Sequence, residues 1–252
     1  MKKGKLSRIR LKSIVLTCVL ITVCLCSFAS DSQTNIWESV KARAKAEGKG
    51  KKAIWHELKQ LSPAELLACG QELYAAEGSR SGRNAIIANA ILSYHSNKTS
   101  PKSTAIAISR ILRSSENPEW LKECVMWIEN NNHFLDIPPE AMRKMGVAVS
   151  DSIRGKTDQS MAAREAMLDA AREDTFIMCL PEDSFELVRN ACRDLLADGS
   201  SVTASKRLYS LASEYLDYAS EGEKHRDEWN QHVKNLRAKR KKNRMSGDDG
   251  LQ

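Results

Sequence analysis

SPAELLACGQELYAAEGSRSGRNAIIANAILSYHSNKTSP, residues 62–101, holds the unit from which the fold is read. Ser62 offers a side-chain oxygen to a helical first turn. Pro63 takes the first helical position, where no N–H is needed, and Glu65 stands where a capping-box carboxylate reaches back. A helical stretch over 63–77 follows, then a polar break at Gly78–Gly82, a second stretch over 83–96, and a new start at Ser100-Pro101. A break this short makes the two helices antiparallel neighbours.

The same grammar recurs down the chain. Asn117-Pro118-Glu119, Pro138-Pro139-Glu140 and Pro181-Glu182-Asp183 again set proline and acid in a first turn, where the helix dipole favours negative charge. Pro63 to Pro101 is 38 residues, Pro101 to Pro139 is 38, and Pro139 to Pro181 is 42. Seven residues after these prolines come Gly70, Ile108, Gly146 and Val188; ten after them come Leu73, Ile111, Val149 and Ala191. Both offsets fall on one helical face. The spacing therefore predicts further hairpins pairing 101–114 with 118–131, 139–154 with 158–173, and 182–197 with 201–219. A short hairpin, 36–47 with 52–61, precedes them, and a charged terminal helix over 221–242 follows.

A period of 38–42 residues made of helix pairs is the signature of stacked repeats. Over residues 62–219 the chain resembles the HEAT and armadillo-like α-solenoid class, on hairpin period and helix-start prolines. The resemblance implies a right-handed superhelix with a curved binding surface and no catalysis. The expected fold is thus all-α, of stacked antiparallel helical hairpins; the alternative is a non-repetitive globular helical bundle.

Six bases and no acid precede the uncharged run SIVLTCVLITVCLCSFA at 13–29. Ser27 and Ala29 put small residues where a signal peptidase reads them, so 1–29 reads as an export signal cut after Ala29. The competing reading is an uncleaved membrane anchor. The organisation expected is a signal at 1–29, a hairpin domain over 30–219, a basic helix over 220–244 and a disordered tail over 245–252.

The net charge of +7 is held by the ends of the chain. Between 31 and 232 there are 26 bases and 30 acids, a net charge of −4, which is not the broad positive face of a specific nucleic-acid binder. Four cysteines lie beyond the signal: Cys69, Cys124, Cys179 and Cys192. Export permits disulfides among them, including Cys179 to Cys192. Alternatively, Cys69, Cys124 and Cys192 are small hydrophobes buried in helices.

Several chemistries lack their residues. His56-Glu57 opens like a zinc-protease helix, but Gln60 stands where the second histidine is required, and no other histidine pair has ligand spacing. No metal or cofactor is expected. Gly78-Ser79-Arg80-Ser81-Gly82 places Arg80 where a nucleophile elbow needs serine. Glu38-Ser39 superficially resembles the catalytic pair of lytic transglycosylases, without that family's surrounding segment. A glutamate in that role needs an apolar pocket to hold its proton.

Two regions are candidates for partner binding. Trp120 and Trp127 lie two turns apart on one helix, either as part of a buried face or as an aromatic edge of a groove. His133 and Phe134 follow in an inter-repeat loop. The terminal helix carries Trp229, then Arg237, Lys239, Arg240, Lys241 and Lys242, a basic stretch suited to an acidic partner or an anionic surface. The function expected is an exported, non-catalytic protein-interaction scaffold of the cell envelope; the alternative is an exported helical hydrolase acting on cell-wall glycan.

Overall fold

The computed structural model describes residues 35–48, 51–77, 82–128, 134–172, 174–198 and 204–245. These form eleven helices and no strand. They are α1 (Ile36–Ala46), α2 (Lys51–Gln60), α3 (Pro63–Glu77), α4 (Gly82–Lys98), α5 (Pro101–Ser114) and α6 (Pro118–Met126), then α7 (Pro139–Ile153), α8 (Met161–Ala171), α9 (Asp174–Cys179), α10 (Glu182–Ala197) and α11 (Lys206–Met245). The signal-like segment 1–29, His133 and residues 246–252 lie outside the described residues.

The helix starts follow the residues that announce them. Ser62 Oγ accepts from the Glu65 N–H at 3.3 Å while the Ser62 N–H donates to Glu65 Oε2 at 2.7 Å, a complete capping box. Ser100 Oγ accepts from the Ser103 N–H, and Asn117 Oδ1 from the Trp120 N–H, each at 3.0 Å. α7 and α10 start after Pro138 and Pro181 without a side-chain cap.

Consecutive helices pack in pairs: α1 on α2, α3 on α4, α5 on α6, α7 on α8, and α10 on α11. Helices of successive units also pack, α1–α3, α5–α7 and α7–α10 in one series, α2–α4, α4–α6, α6–α8 and α8–α11 in the other. The regularity is interrupted at α3, which meets the next pair chiefly through α6, while α4 packs on α5. One contiguous apolar cluster runs through all the pairs, with Leu66, Leu73, Ile108, Trp120, Phe185 and Tyr215 fully buried. Each such side chain contributes about 1.5–3 kcal/mol by leaving water, so the core dominates stability.

Ion pairs connect successive units at the sequence period. Lys102 pairs with Glu140 at 2.9 Å, Arg113 with Asp151 at 2.9 Å, Arg143 with Asp183 at 2.7 Å, Arg154 with Asp194 at 3.1 Å, and Arg172 with Glu214. The Arg113, Arg143 and Arg172 pairs span 38, 40 and 42 residues. At about 0–1 kcal/mol each for solvent-facing pairs, they set register more than stability.

Three expectations change. The second helix of the last hairpin and the terminal helix are one continuous helix of 40 residues, about 60 Å long. Gly222, inside it, costs only about 1 kcal/mol in a helix. A Cβ there would stand 3.2 Å from Met178 Sδ, so the glycine admits α9 to close packing instead of ending the helix. The second helix of the third hairpin stops at Ala171, and α9 intervenes before α10. The longer spacing of 42 residues between Pro139 and Pro181 falls in the unit that holds this extra helix. α6 ends at Met126, short of the expected 131, and Phe134–Leu135 form a separate turn of tighter helix.

Candidate functional site

The C-terminal half of α11 lies over the ends of two earlier units. Its contacting residues, Gly222, Arg226, Trp229, Val233, Arg237 and Arg240, follow steps of three or four and so share one face. Gly222 meets α9. Arg226 donates from Nε to Glu182 at 3.0 Å and from its fork to the Leu180 carbonyl, and its guanidinium stacks 4.3 Å from the centre of the Phe185 ring. Trp229 packs on Phe134, ring centres 5.4 Å apart. Arg237 Nε donates to the Leu135 carbonyl at 3.2 Å, and Arg240 pairs with Asp136 at 2.7 Å.

Between this face and the units beneath lies a cleft of about 240 Å³. Phe134, Met142, Met178, Leu180, Trp229 and Val233 give it apolar walls, Arg226 and Arg237 place guanidinium groups at it, and Pro139 and Pro181 bring the starts of α7 and α10 to it. Chemically this offers a partly buried apolar surface beside cationic donors, of which Arg226 is already paired with Glu182 in the same lining. That combination suits a docking side chain with an apolar body and an anionic or carbonyl end.

The structure gathers four of the ten candidate residues here. Phe134, Trp229, Arg237 and Arg240 come together although the loop and the helix are far apart in sequence, Arg237 lying 102 residues from Leu135 and Arg240 104 from Asp136. Lys239, Lys241 and Lys242 are exposed just beyond, with no ion pair among the described residues. Trp120 and Trp127 are fully buried, so they belong to the core and not to a groove edge. The physical reason is that Trp120 fills the space left by Gly70 on α3. Arg226, Met178 and Leu180 were not among the candidates. Arg226 was discoverable, since it stands one step before Trp229 on the same stripe; Met178 and Leu180 depend on the unexpected α9.

Other candidate chemistry resolves locally. Glu38 is exposed and paired with Lys41 at 2.8 Å, not enclosed in an apolar pocket. His56 is exposed. No disulfide is present among the described residues, and Cys69, Cys124 and Cys192 are buried in helices. Burial pushes the Cys69 and Cys192 thiols up to about 12 and the Cys124 thiol well above its ordinary range, so all three stay protonated and unreactive. Among the described residues, no group of three or more His, Cys, Asp or Glu side chains could hold a metal ion.

No protein-family model, no curated protein and no solved structure matches the chain.

Proposed function

We propose that the chain is a protein-interaction scaffold of stacked helical hairpins, exported to the cell envelope and working without catalysis. The observation that carries the interaction reading is the cleft under α11. Its aromatic and arginine side chains are drawn from distant parts of the sequence, and such residues supply most of the energy at protein interfaces. Two observations favour stacked hairpins over an irregular bundle, the right-handed superhelix being what the resemblance to HEAT-like repeats implies. Helix packing alternates between two series, and ion pairs recur at 38, 40 and 42 residues. Each pair of helices then rests on its neighbours and presents its outer surface to a partner.

The export part of the proposal rests on residues 1–29. No helix among the described residues is long and apolar enough to cross a membrane. The exposed Lys239, Lys241 and Lys242 add a second, electrostatic contact, to an acidic region of the partner or to an anionic surface.

In-cell crosslinking of the full chain and of residues 1–232, with mass spectrometry of captured proteins and of the mature N-terminus, tests this reading. A dominant partner lost on truncation is the expected result, with Ser30 as the first residue. Capture of the same partner by both forms would move the site to the hairpin faces, and no captured partner would contradict the interaction reading.

A further inference from the structure

We infer that the groove between α5 and α7 is a second docking site, and that its occupant is an acidic peptide segment carrying an apolar side chain. The inference rests on the protein-interaction reading and names the partner chemistry of a face distant in sequence from α11.

The groove has a volume of about 330 Å³. Arg110 and Arg113 reach it from α5, Arg143 and Lys144 from α7, Ile106 and Val147 form its apolar part, and no acid is in its lining. Arg110 and Lys144 are exposed and have no ion-pair partner among the described residues. Arg113 spends one terminal nitrogen on Asp151, and Arg143 spends its Nε on Asp183. Each guanidinium has five N–H donors, so both forks retain donors for a further acceptor.

Cations lining one groove repel one another within the screening distance of about 8 Å at physiological salt. Of the four cations in this groove, only Arg113 and Arg143 take part in cross-unit ion pairs. Arg110 and Lys144 therefore add positive potential without contributing to the packing of the units. An anionic occupant turns that repulsion into attraction. Guanidinium forks match carboxylates two bonds at a time, and the half-buried Ile106 and Val147 offer contact to an aliphatic side chain. A peptide alternating acidic and apolar residues satisfies both features. A nucleic acid satisfies only the charge, and its extended phosphate backbone would also meet the rest of a body whose net charge over 31–232 is −4.

The test is fluorescence anisotropy on the full chain, with a fluorescein-labelled peptide of repeated Glu-Glu-Leu triplets as the probe. Expected is binding that weakens with added salt and falls about tenfold or more in Arg110→Glu/Lys144→Glu, while Lys45→Glu/Lys52→Glu, the same charge change at exposed positions on α1 and α2, leaves it unchanged. Replacing leucine by serine in the probe should weaken binding several-fold. Because Arg110 and Lys144 are exposed, circular dichroism should show the groove variant folded as the wild type is. The proposal is overturned if the wild type does not bind the probe, or if the groove variant binds it equally. It is also overturned if a single-stranded oligonucleotide of equal charge displaces the peptide at lower concentration than unlabelled peptide does. A partner captured in cells together with a silent probe would leave the scaffold reading standing and remove this one. A groove-dependent probe with no captured partner would do the opposite.

Discussion

Gly70 on α3 lies against the indole of Trp120 on α6: a Cβ built at Gly70 would stand 2.6 Å from Trp120 Cζ2. That is well inside any real contact between carbon atoms, and the ring, fully buried, has nowhere to retreat. The pair thus fixes how one helical hairpin seats on the next. Gly70→Ala should cost about 1–3 kcal/mol by overpacking, although alanine is the better helix former. Urea unfolding of the variant, and of Gly70→Ala with Trp120→Leu, measures this. The second change should recover part of the first loss; if Gly70→Ala is as stable as the wild type, the close seating is wrong.

Arg164 closes the end of α7. Its side chain is buried, donating from Nε to the Ser152 carbonyl at 2.8 Å and from Nη2 to the Ile153 carbonyl at 2.9 Å. Those carbonyls belong to the last turn, where cations are favoured and intrahelical partners run out. Gly155, at φ +65°, turns the chain directly beneath the guanidinium. Arg164→Met should therefore destabilise by about 1–3 kcal/mol, because it leaves the buried Ile153 carbonyl unpaired, whereas the Ser152 carbonyl keeps the Gly155 N–H at 3.0 Å. Gly155→Ala should cost about 1–2 kcal/mol through the left-handed backbone alone. Thermal melts of both variants check the pair, and an Arg164→Met melt matching the wild type would refute the capping role.

Glu123, half-buried on α6, gives stability an unusual slope with pH. Burial pushes its carboxyl above the ordinary 4.5, with the Tyr74 hydroxyl pulling the other way. Its folded-state pKa exceeds its unfolded one, so the folded chain holds the proton longer. Stability is then lost as pH rises from about 4.5 through the raised value. Glu65, Glu77 and Glu116 have the opposite sign: hydrogen bonds from Ser62, Lys41 and Ser160 lower them, and their contribution is lost as pH falls below about 4.5. Glu123→Gln should flatten the stability curve just above pH 4.5 and leave its acid limb in place. Denaturant midpoints across that range measure it; curves that differ only by a constant offset would contradict the assignment.

The contact of α11 with the 134–137 loop rests on few interactions, the Phe134–Trp229 stack and the bonds of Arg237 and Arg240. Trp229→Ala should raise amide hydrogen exchange about tenfold or more from residue 229 onward, as expected when about 1.5 kcal/mol of local stability is lost, and should leave α3–α8 protected. Exchange that accelerates evenly across the chain would mean that this contact is part of the global fold.

Most of the architecture was legible because its signals are local. Ser62 with Glu65, Ser100 and Asn117 announce helix starts through their own side chains, and the proline period positions the pairs. The continuity of α11 was not legible, because the change from the stretch ending at Ala219 to the charged one beginning at Glu221 reads as a boundary between two helices; in the structure the helix runs through it, and Gly222 serves as a close-packing position beside Met178. α9 was missed because six helical residues carry too little periodicity to register. The cleft was half legible. Trp229, Arg237 and Arg240 stand out on one stripe, but the chain between them and Phe134 gives no hint that they meet. Trp120 and Trp127 show the converse, since an aromatic pair two turns apart reads the same whether it faces a groove or a core.

The most direct test of the scaffold account is a photo-crosslinking residue placed in cells at Asn230, which lines the cleft, and at Asp217, exposed on the same helix outside it. The account predicts one dominant protein adduct from Asn230 that is absent from Asp217 and lost in Arg226→Gln/Arg237→Gln. No adduct at Asn230, or the same adducts from both positions, would contradict it.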